Sequence, residues 1–233
     1  WPTRPRERKT RKIPVAGVES AVILWRVMRM PKPSRTALLL AVMLPLTGCG
    51  SRYEPPRPPP RLSPDICLAQ LGQFNVKYVK EDAPEGPCPI YDSVRVSATG
   101  VPLSRPALMS CDLALKIEKF TREVVVPQAQ ARFHQGVLEI IHFGTYSCRG
   151  RPGGEWSEHA KGNAIDIAGF KLADGTVISV KQDWNPRGPK RDFLRAVAKG
   201  ACSVFSMVLT PETNSDHANH LHLDIGAWRK CDA

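Results

Sequence analysis

Seven cysteines constrain this chain more than any other feature of it. None belongs to a CxxC pair, which argues against a thiolate metal site. Six of them, Cys67, Cys88, Cys111, Cys148, Cys202 and Cys231, follow residue 62. An even set of that kind in an exported chain reads as three disulfides, in one of fifteen possible pairings. The export reading comes from the stretch "MRMPKPSRTALLLAVMLPLTGCGS", which starts at Met28 or Met30. Arg29, Lys32 and Arg35 give it a positive start, residues 37–46 an apolar middle, and a small-residue junction ends at Cys49. That is the order of a secretory signal, and its apolar part is too short to span a bilayer.

The seventh cysteine has its own reading. Leu46-Thr47-Gly48-Cys49 resembles the lipobox of bacterial lipoproteins, which implies cleavage before Cys49 and lipid on its thiol and amino group. Gly50 stands where inner-membrane lipoproteins often have aspartate, so the resemblance implies the outer membrane, facing the periplasm. Residues 1–27 read as an upstream extension, 28–48 as a lipoprotein signal peptide, and 49–62 as the lipidated cysteine with a tether. In that tether "RYEPPRPPPR", residues 52–61, reads as extended and semi-rigid. The domain is expected over 63–233. The net charge of +11 first suggests a polyanion, but residues 1–61 hold 13 Lys/Arg against 3 Asp/Glu, and residues 62–233 hold 20 against 19. With no basic surplus in the domain, nucleic acid is not an expected partner.

Within the domain the elements are mixed. "VRVSATGVPL" (94–103) alternates like a strand and turns at Gly100. "RPALMSCDLALKIEKFTREVVVPQAQARF" (105–133) has helical spacing, with Pro127 dividing it in two. "GVLEIIHFGTYSC" (136–148) and "NAIDIAGF" (163–170) read as strands, Gly175 marks a hairpin, and "KRDFLRAVAKGACSVF" (190–205) is an amphipathic helix stopped at Gly200. "HLHLDI" (220–225) is the last strand. The class is α+β, a small antiparallel sheet with flanking helices.

Two of these strands carry the chemistry. Alternation puts His220, His222 and Asp224 on one face of the last strand, opposite Leu221, Leu223 and Ile225. In the same way Asp166 lies between Ala164 and Ala168, opposite Ile165 and Ile167. A carboxylate in an otherwise apolar strand is costly to bury without a compensating charge, and a divalent cation supplies one. Zinc in hydrolytic sites takes three His or carboxylate ligands and keeps a fourth position for water. His159, Asp166 and one histidine of the HxH pair make such a set, so one zinc per chain is expected. His134 and His142 are read as structural. Trp156 could wall the cleft or pack.

"SEHAKGNAIDI" (157–167) with "HANHLH" (217–222) resembles the zinc peptidases of the lysostaphin, D-alanyl-D-alanine carboxypeptidase and hedgehog-like group, which cut peptidoglycan peptides. More closely, residues 144–180 and 192–222 are similar to the bacterial extensin-like C-terminal domain family, over roughly residues 67–225 in all. The resemblance implies a hedgehog- or D-Ala-D-Ala-peptidase-like fold. It implies His159, Asp166 and His222 as zinc ligands, and His220 as oxyanion stabiliser or proton shuttle. His217 resembles an extra histidine of the endopeptidase branch, and Arg149 stands where related peptidases have an arginine that contacts substrate. One position departs from the pattern. The carboxypeptidase branch has a glutamate base three residues before its last histidine ligand; here that residue is Asn219, which cannot take a proton. Acid–base work would then fall to His217 or His220. The expected function is hydrolysis of peptidoglycan stem peptides or cross-links by an enzyme held to the membrane by its lipid. The alternatives are a non-catalytic wall-binding or envelope-structural module and a purely structural metal.

Overall fold

In a computed structural model the described residues are 57–233, apart from 58, 152 and 153. The upstream extension, the signal peptide, Cys49 and most of the tether lie outside them. Helix α1 (Pro64–Gln73) opens the domain with a proline in its first turn, where the missing N–H is no loss. Strands β1 (Lys77–Lys80), β2 (Ser93–Thr99) and β3 (Val101–Ser110) form an antiparallel meander, with Gly100 at φ +73° in the β2–β3 turn.

Helix α2 (Cys111–Phe120) follows directly. Residues 105–110 are therefore strand, where sequence periodicity suggested helix. Pro106 biases Arg105 toward extended backbone, and β2 pairs with Ala107 to Ser110. The helix begins where Ser110 can cap it, its hydroxyl accepting from the Leu113 N–H at 3.2 Å. The expected division near Pro127 is present as a π-helical segment, Thr121–Val125. There the Val126 N–H reaches back five residues to the Thr121 carbonyl, and α3 (Val126–Phe133) carries Pro127 in its first turn.

The remaining elements are β4 (Val137–Gly144), β5 (Ala164–Leu172), β6 (Val177–Ser179), the short α4 (Val180–Asp183), α5 (Pro189–Ala201), β7 (Met207–Leu209), β8 (Leu221–Asp224) and β9 (Lys230–Cys231). The sheet runs β1-β2-β3-β4-β5-β8-β7-β9, with β6 beside β5. The fold is mixed α and β, as expected. The sheet is larger than the small antiparallel one the sequence suggests, and β3–β4 and β7–β9 pair in parallel. Three-residue and two-residue strands such as β7 and β9 carry too little pattern to read in one dimension.

Strand β5 is the hub. Along one edge it pairs with β4; along the other it pairs with β8 over residues 164–167 and with β6 over 169–171. Phe170 and Phe193 meet edge to face at 5.3 Å, and Phe120 meets Phe205 at 5.5 Å, joining sheet and helices in one core. Gly200 does not stop α5. It sits in the last turn, where an added Cβ would lie 2.4 Å from Val124 Cγ1. Glycine is there so that α5 can lie against the π-helical segment. All six domain cysteines are paired, as Cys67–Cys111, Cys88–Cys148 and Cys202–Cys231. The first ties α1 to α2, the second straps the segment after β4 to the one before β2, and the third ties the end of α5 to β9.

Candidate metal centre

His159 sits on a single 3-10 turn, Glu158–Lys161. Ser157 caps its start by accepting from the His159 N–H, and Gly162, at φ +65°, ends it. A side chain at Gly162 would meet Ile90 and the Ser110 backbone as well as strain the left-handed backbone, so glycine is required to turn the chain from His159 into β5. Asp166 lies in β5 and His222 in β8. The β5–β8 register places these two residues directly opposite one another, so strand pairing alone joins two stretches more than fifty positions apart.

The three side chains converge. His159 Nε2 lies 3.2 Å from Asp166 Oδ1, His222 Nδ1 lies 3.0 Å from the same oxygen, and the two nitrogens are 3.2 Å apart. His159, Asp166 and His222 thus form a group that could hold a metal ion. Each ring is fixed from its far side. The Thr145 carbonyl accepts from His159 Nδ1–H at 2.9 Å, which leaves Nε2 with its lone pair facing Asp166. Asp224 Oδ2 lies 3.1 Å from His222 Nε2, while Asp224 Oδ1 accepts the Gly226 N–H at 2.9 Å. Asp224 is only 1% exposed, and the Arg151 guanidinium stands 4.0 Å from it. Alternation had placed Asp224 on the same face as His222; that it orients this ring, and that Thr145 orients the other, are contributions of the tertiary structure.

The electrostatics match this crowding. Burial raises the Asp166 carboxyl, but the imidazoles of His159 and His222 beside it outweigh burial and hold Asp166 well below the usual carboxylate range. Burial opposes the charge on His222, yet the carboxylates of Asp166 and Asp224 on either side bring its pKa up to about 9. Without a metal, protonated His222 lies between the carboxylates of Asp166 and Asp224 and offsets one of their two charges.

His220 joins the cluster from just before β8. Its Nε2 lies 3.4 Å from Asp166 Oδ1, and its Nδ1–H donates to the Asn219 side-chain oxygen at 2.9 Å. Asn219 is thus not an idle replacement for an acid: it fixes the His220 tautomer with Nε2 as the unprotonated nitrogen. Burial lowers the His220 pKa; the Asp166 carboxylate opposes, and the positive charges of His222 and Arg149 add to the lowering. His217 stacks near both, 5.2 Å from the His220 ring and 5.8 Å from the His222 ring, its Nδ1–H held by Asn214 Oδ1 at 2.7 Å. Burial lowers its pKa too, followed by the neighbouring histidine charges. Arg149 is exposed and close enough to influence His220. Phe143, from β4, packs edge-on to the His220 ring at 5.8 Å and remains half exposed, giving the site one apolar wall.

The other histidines do structural work. His134 ends α3 in the left-handed conformation, and buried His142 in β4 hydrogen-bonds the Arg105 carbonyl through Nε2. Trp156 lines a separate groove of about 1050 Å3, to which none of His159, Asp166, His217, His220 and His222 contributes.

No curated protein and no solved structure matches this chain. The family model described as "Extensin-like protein C-terminus" matches residues 65–232, the whole domain that carries the cluster. On that match, the chain belongs to the extensin-like protein C-terminus family.

Proposed function

We propose that His159, Asp166 and His222 hold a catalytic zinc ion, and that the domain is a hydrolase of peptidoglycan stem peptides or cross-links with a hedgehog- or D-Ala-D-Ala-peptidase-like arrangement. The proposal includes export and lipid attachment at Cys49, which would hold the enzyme at the outer membrane facing the wall. The observation that carries the zinc reading is the triangle of donor atoms, with sides of 3.0, 3.2 and 3.2 Å. Tetrahedral zinc with bonds of ~2.0–2.1 Å has ligands about 3.3 Å apart, a spacing that these three atoms match to within about 0.3 Å. Two nitrogens, one carboxylate oxygen and a set of hydrogen-bonded outer ring nitrogens are the donor chemistry that zinc prefers.

Bound there, zinc would supply a polarised carbonyl and a water of lowered pKa. The chain's own residues would do the rest. His220, neutral and with Nε2 facing Asp166, is placed to accept a proton and return it to the leaving amine. His217 flanks it as a second neutral imidazole. Arg149 would bind a carboxylate of the stem peptide, and Phe143 would cover the aliphatic part of the same substrate.

A second reading is favoured by one observation: no carboxylate base stands at position 219. On that reading the domain binds wall peptides and cuts nothing. Metal analysis and digestion together separate the two. The purified protein and its Asp166→Ala and His220→Ala variants are assayed for zinc and for amino groups released from isolated peptidoglycan. Hydrolysis requires about one zinc per chain, absent in Asp166→Ala, and bond cleavage lost in His220→Ala with zinc retained. Zinc without cleavage supports the binding module. A folded protein that takes up no metal refutes the zinc reading.

A further inference from the structure

The charge of the domain is balanced in total and uneven in place. Residues 62–233 hold 20 Lys/Arg against 19 Asp/Glu, but the segment 180–201, which makes α4 and α5, holds six against two. Helix α5 buries Phe193, Leu194, Val197 and Ala198, which turns its cations outward. Arg132 joins them from α3. Arg132, Arg195 and Lys199 line a cavity of about 670 Å3 between the two helices, and Asp192 is the one acid in that lining.

The protein itself neutralises little of this charge. Arg195 pairs with Glu212 at 2.5 Å and lies over the Trp184 ring, and Lys190 stands 3.9 Å from Asp183. Among the described residues, Arg132, Lys181, Arg187, Arg191 and Lys199 make no ion pair. The Nε–H groups of Arg191 and Arg195 are buried without an acceptor among those residues. A buried donor is costly until an acceptor reaches it, and a guanidinium fork matches the oxygens of a phosphate.

The place of this patch relative to the metal cluster decides what it can face. Alternation along β5 and β8 sends Ile165, Ile167, Leu221 and Leu223 into the core that α5 covers with Phe193 and Val197. Asp166 and His222 point to the other side of the same two strands. The cations on the outer side of α5 therefore lie across the sheet from the metal cluster. A wall peptide gripped by α5 would be on the wrong side of the sheet for that cluster. The apolar members of the patch, Ala131, Pro189 and Ala196, are small, so its attraction is electrostatic and needs no insertion.

We propose that the outer face of α5, with Arg132 of α3, is a docking surface for an anionic phospholipid bilayer, one headgroup phosphate seating among Arg132, Arg195 and Lys199. The inference rests on the lipid anchor at Cys49 proposed above, which holds the domain beside such a bilayer. Docked in this way, the domain turns its metal cluster away from the membrane and toward the wall. Each Lys or Arg at an anionic leaflet strengthens partitioning roughly fivefold, and salt screens the effect.

The test reads each lysine separately. The full-length protein is mixed with vesicles of phosphatidylcholine, or of phosphatidylcholine with phosphatidylglycerol, and briefly acetylated. Mass spectrometry then gives the labelling rate at each lysine. Phosphatidylglycerol should slow Lys181 and Lys199 at least threefold and leave Lys77 and Lys80, exposed on the edge strand β1, unchanged. The Arg132→Gln/Arg191→Gln variant, whose altered residues pair with no acid, should lose that protection, as should the parent in high salt. Circular dichroism, disulfide mapping and zinc uptake equal to the parent's check that the variant folds. Labelling unaffected by phosphatidylglycerol would overturn the proposal, and so would equal slowing of Lys77 and Lys80. Protection by isolated peptidoglycan in place of the anionic vesicles would assign the patch to wall peptides and overturn it too. Labelled fatty acid, taken up by the parent and not by Cys49→Ser, tests the anchor separately, so a failed anchor and a failed docking surface give different results.

Discussion

Asp224→Asn is the substitution that most directly probes the metal centre, because it keeps the shape of the side chain and changes only its hydrogen-bonding chemistry. Asp224 uses both oxygens on donors, Oδ2 for His222 Nε2 at 3.1 Å and Oδ1 for the Gly226 N–H at 2.9 Å. Asparagine has one acceptor oxygen and one NH2. If its oxygen faces His222, the NH2 opposes the Gly226 N–H and leaves buried donors unpaired, at a cost of about 1–3 kcal/mol. If its oxygen faces Gly226, the NH2 donates into His222 Nε2 and drives the ring proton to Nδ1, the atom needed for the metal. Either way the loss in zinc affinity should be about 10–100-fold, or roughly 1.4–2.7 kcal/mol. A chelator competition titration measures it. The metal-free protein gives an independent reading: one of the two carboxylates that raise the His222 pKa to about 9 is removed, so the imidazole titration followed by NMR should move down. A zinc dissociation constant within twofold of the parent, together with an unmoved His222 titration, would refute the role assigned to Asp224.

Four further outcomes are expected. Because His222 carries a proton below about pH 9 in the metal-free state, zinc binding near pH 7 should release about one proton, and affinity should fall about tenfold per unit as pH drops from 8 to 7. The same shift acts on the metal-free fold with the opposite sense: its stabilisation is complete below the ordinary histidine value of about 6.5 and is lost as pH rises through about 9, which melting curves in chelator would follow. Replacing Cys88 and Cys148 together by alanine opens a 60-residue loop and should cost about 4 kcal/mol in denaturant unfolding; a loss under 1 kcal/mol would show that this strap does not constrain the unfolded chain. Gly200→Ala should cost about 1–3 kcal/mol through overlap with Val124, whereas a mere helix stop would tolerate it, and relief by Val124→Ala in the double variant identifies the cause.

Much of the candidate site was legible in one dimension because strands alternate. The period of two in "HLHLDI" and "NAIDIAGF" separates Leu221, Leu223, Ile165 and Ile167, which bury, from His222, Asp224 and Asp166, which face the site. The even number of domain cysteines announced three disulfides for the same kind of reason: parity is a property of the chain. What periodicity could not resolve was competition between local patterns. Residues 105–110 fit a helical stripe, yet Pro106 and an available partner strand made them β3, and Ser110 decided where the helix began.

The sequence by itself determined the mixed class, the exclusion of a basic domain, and the residue types that converge as His159, Asp166 and His222. Only the tertiary structure decided that Asp166 stands opposite His222, since register depends on how two strands far apart in the chain fit the same core. It alone decided which cysteines pair, because pairing follows from which segments the fold brings within reach. It also decided which ring nitrogens face inward, through the Thr145 carbonyl behind one histidine and Asp224 behind the other. Asp224 stands two positions after His222 on the same face of β8, where alternation puts it, but the Thr145 carbonyl comes from the loop after β4, and a hydrogen bond between separate segments leaves no periodic trace in either.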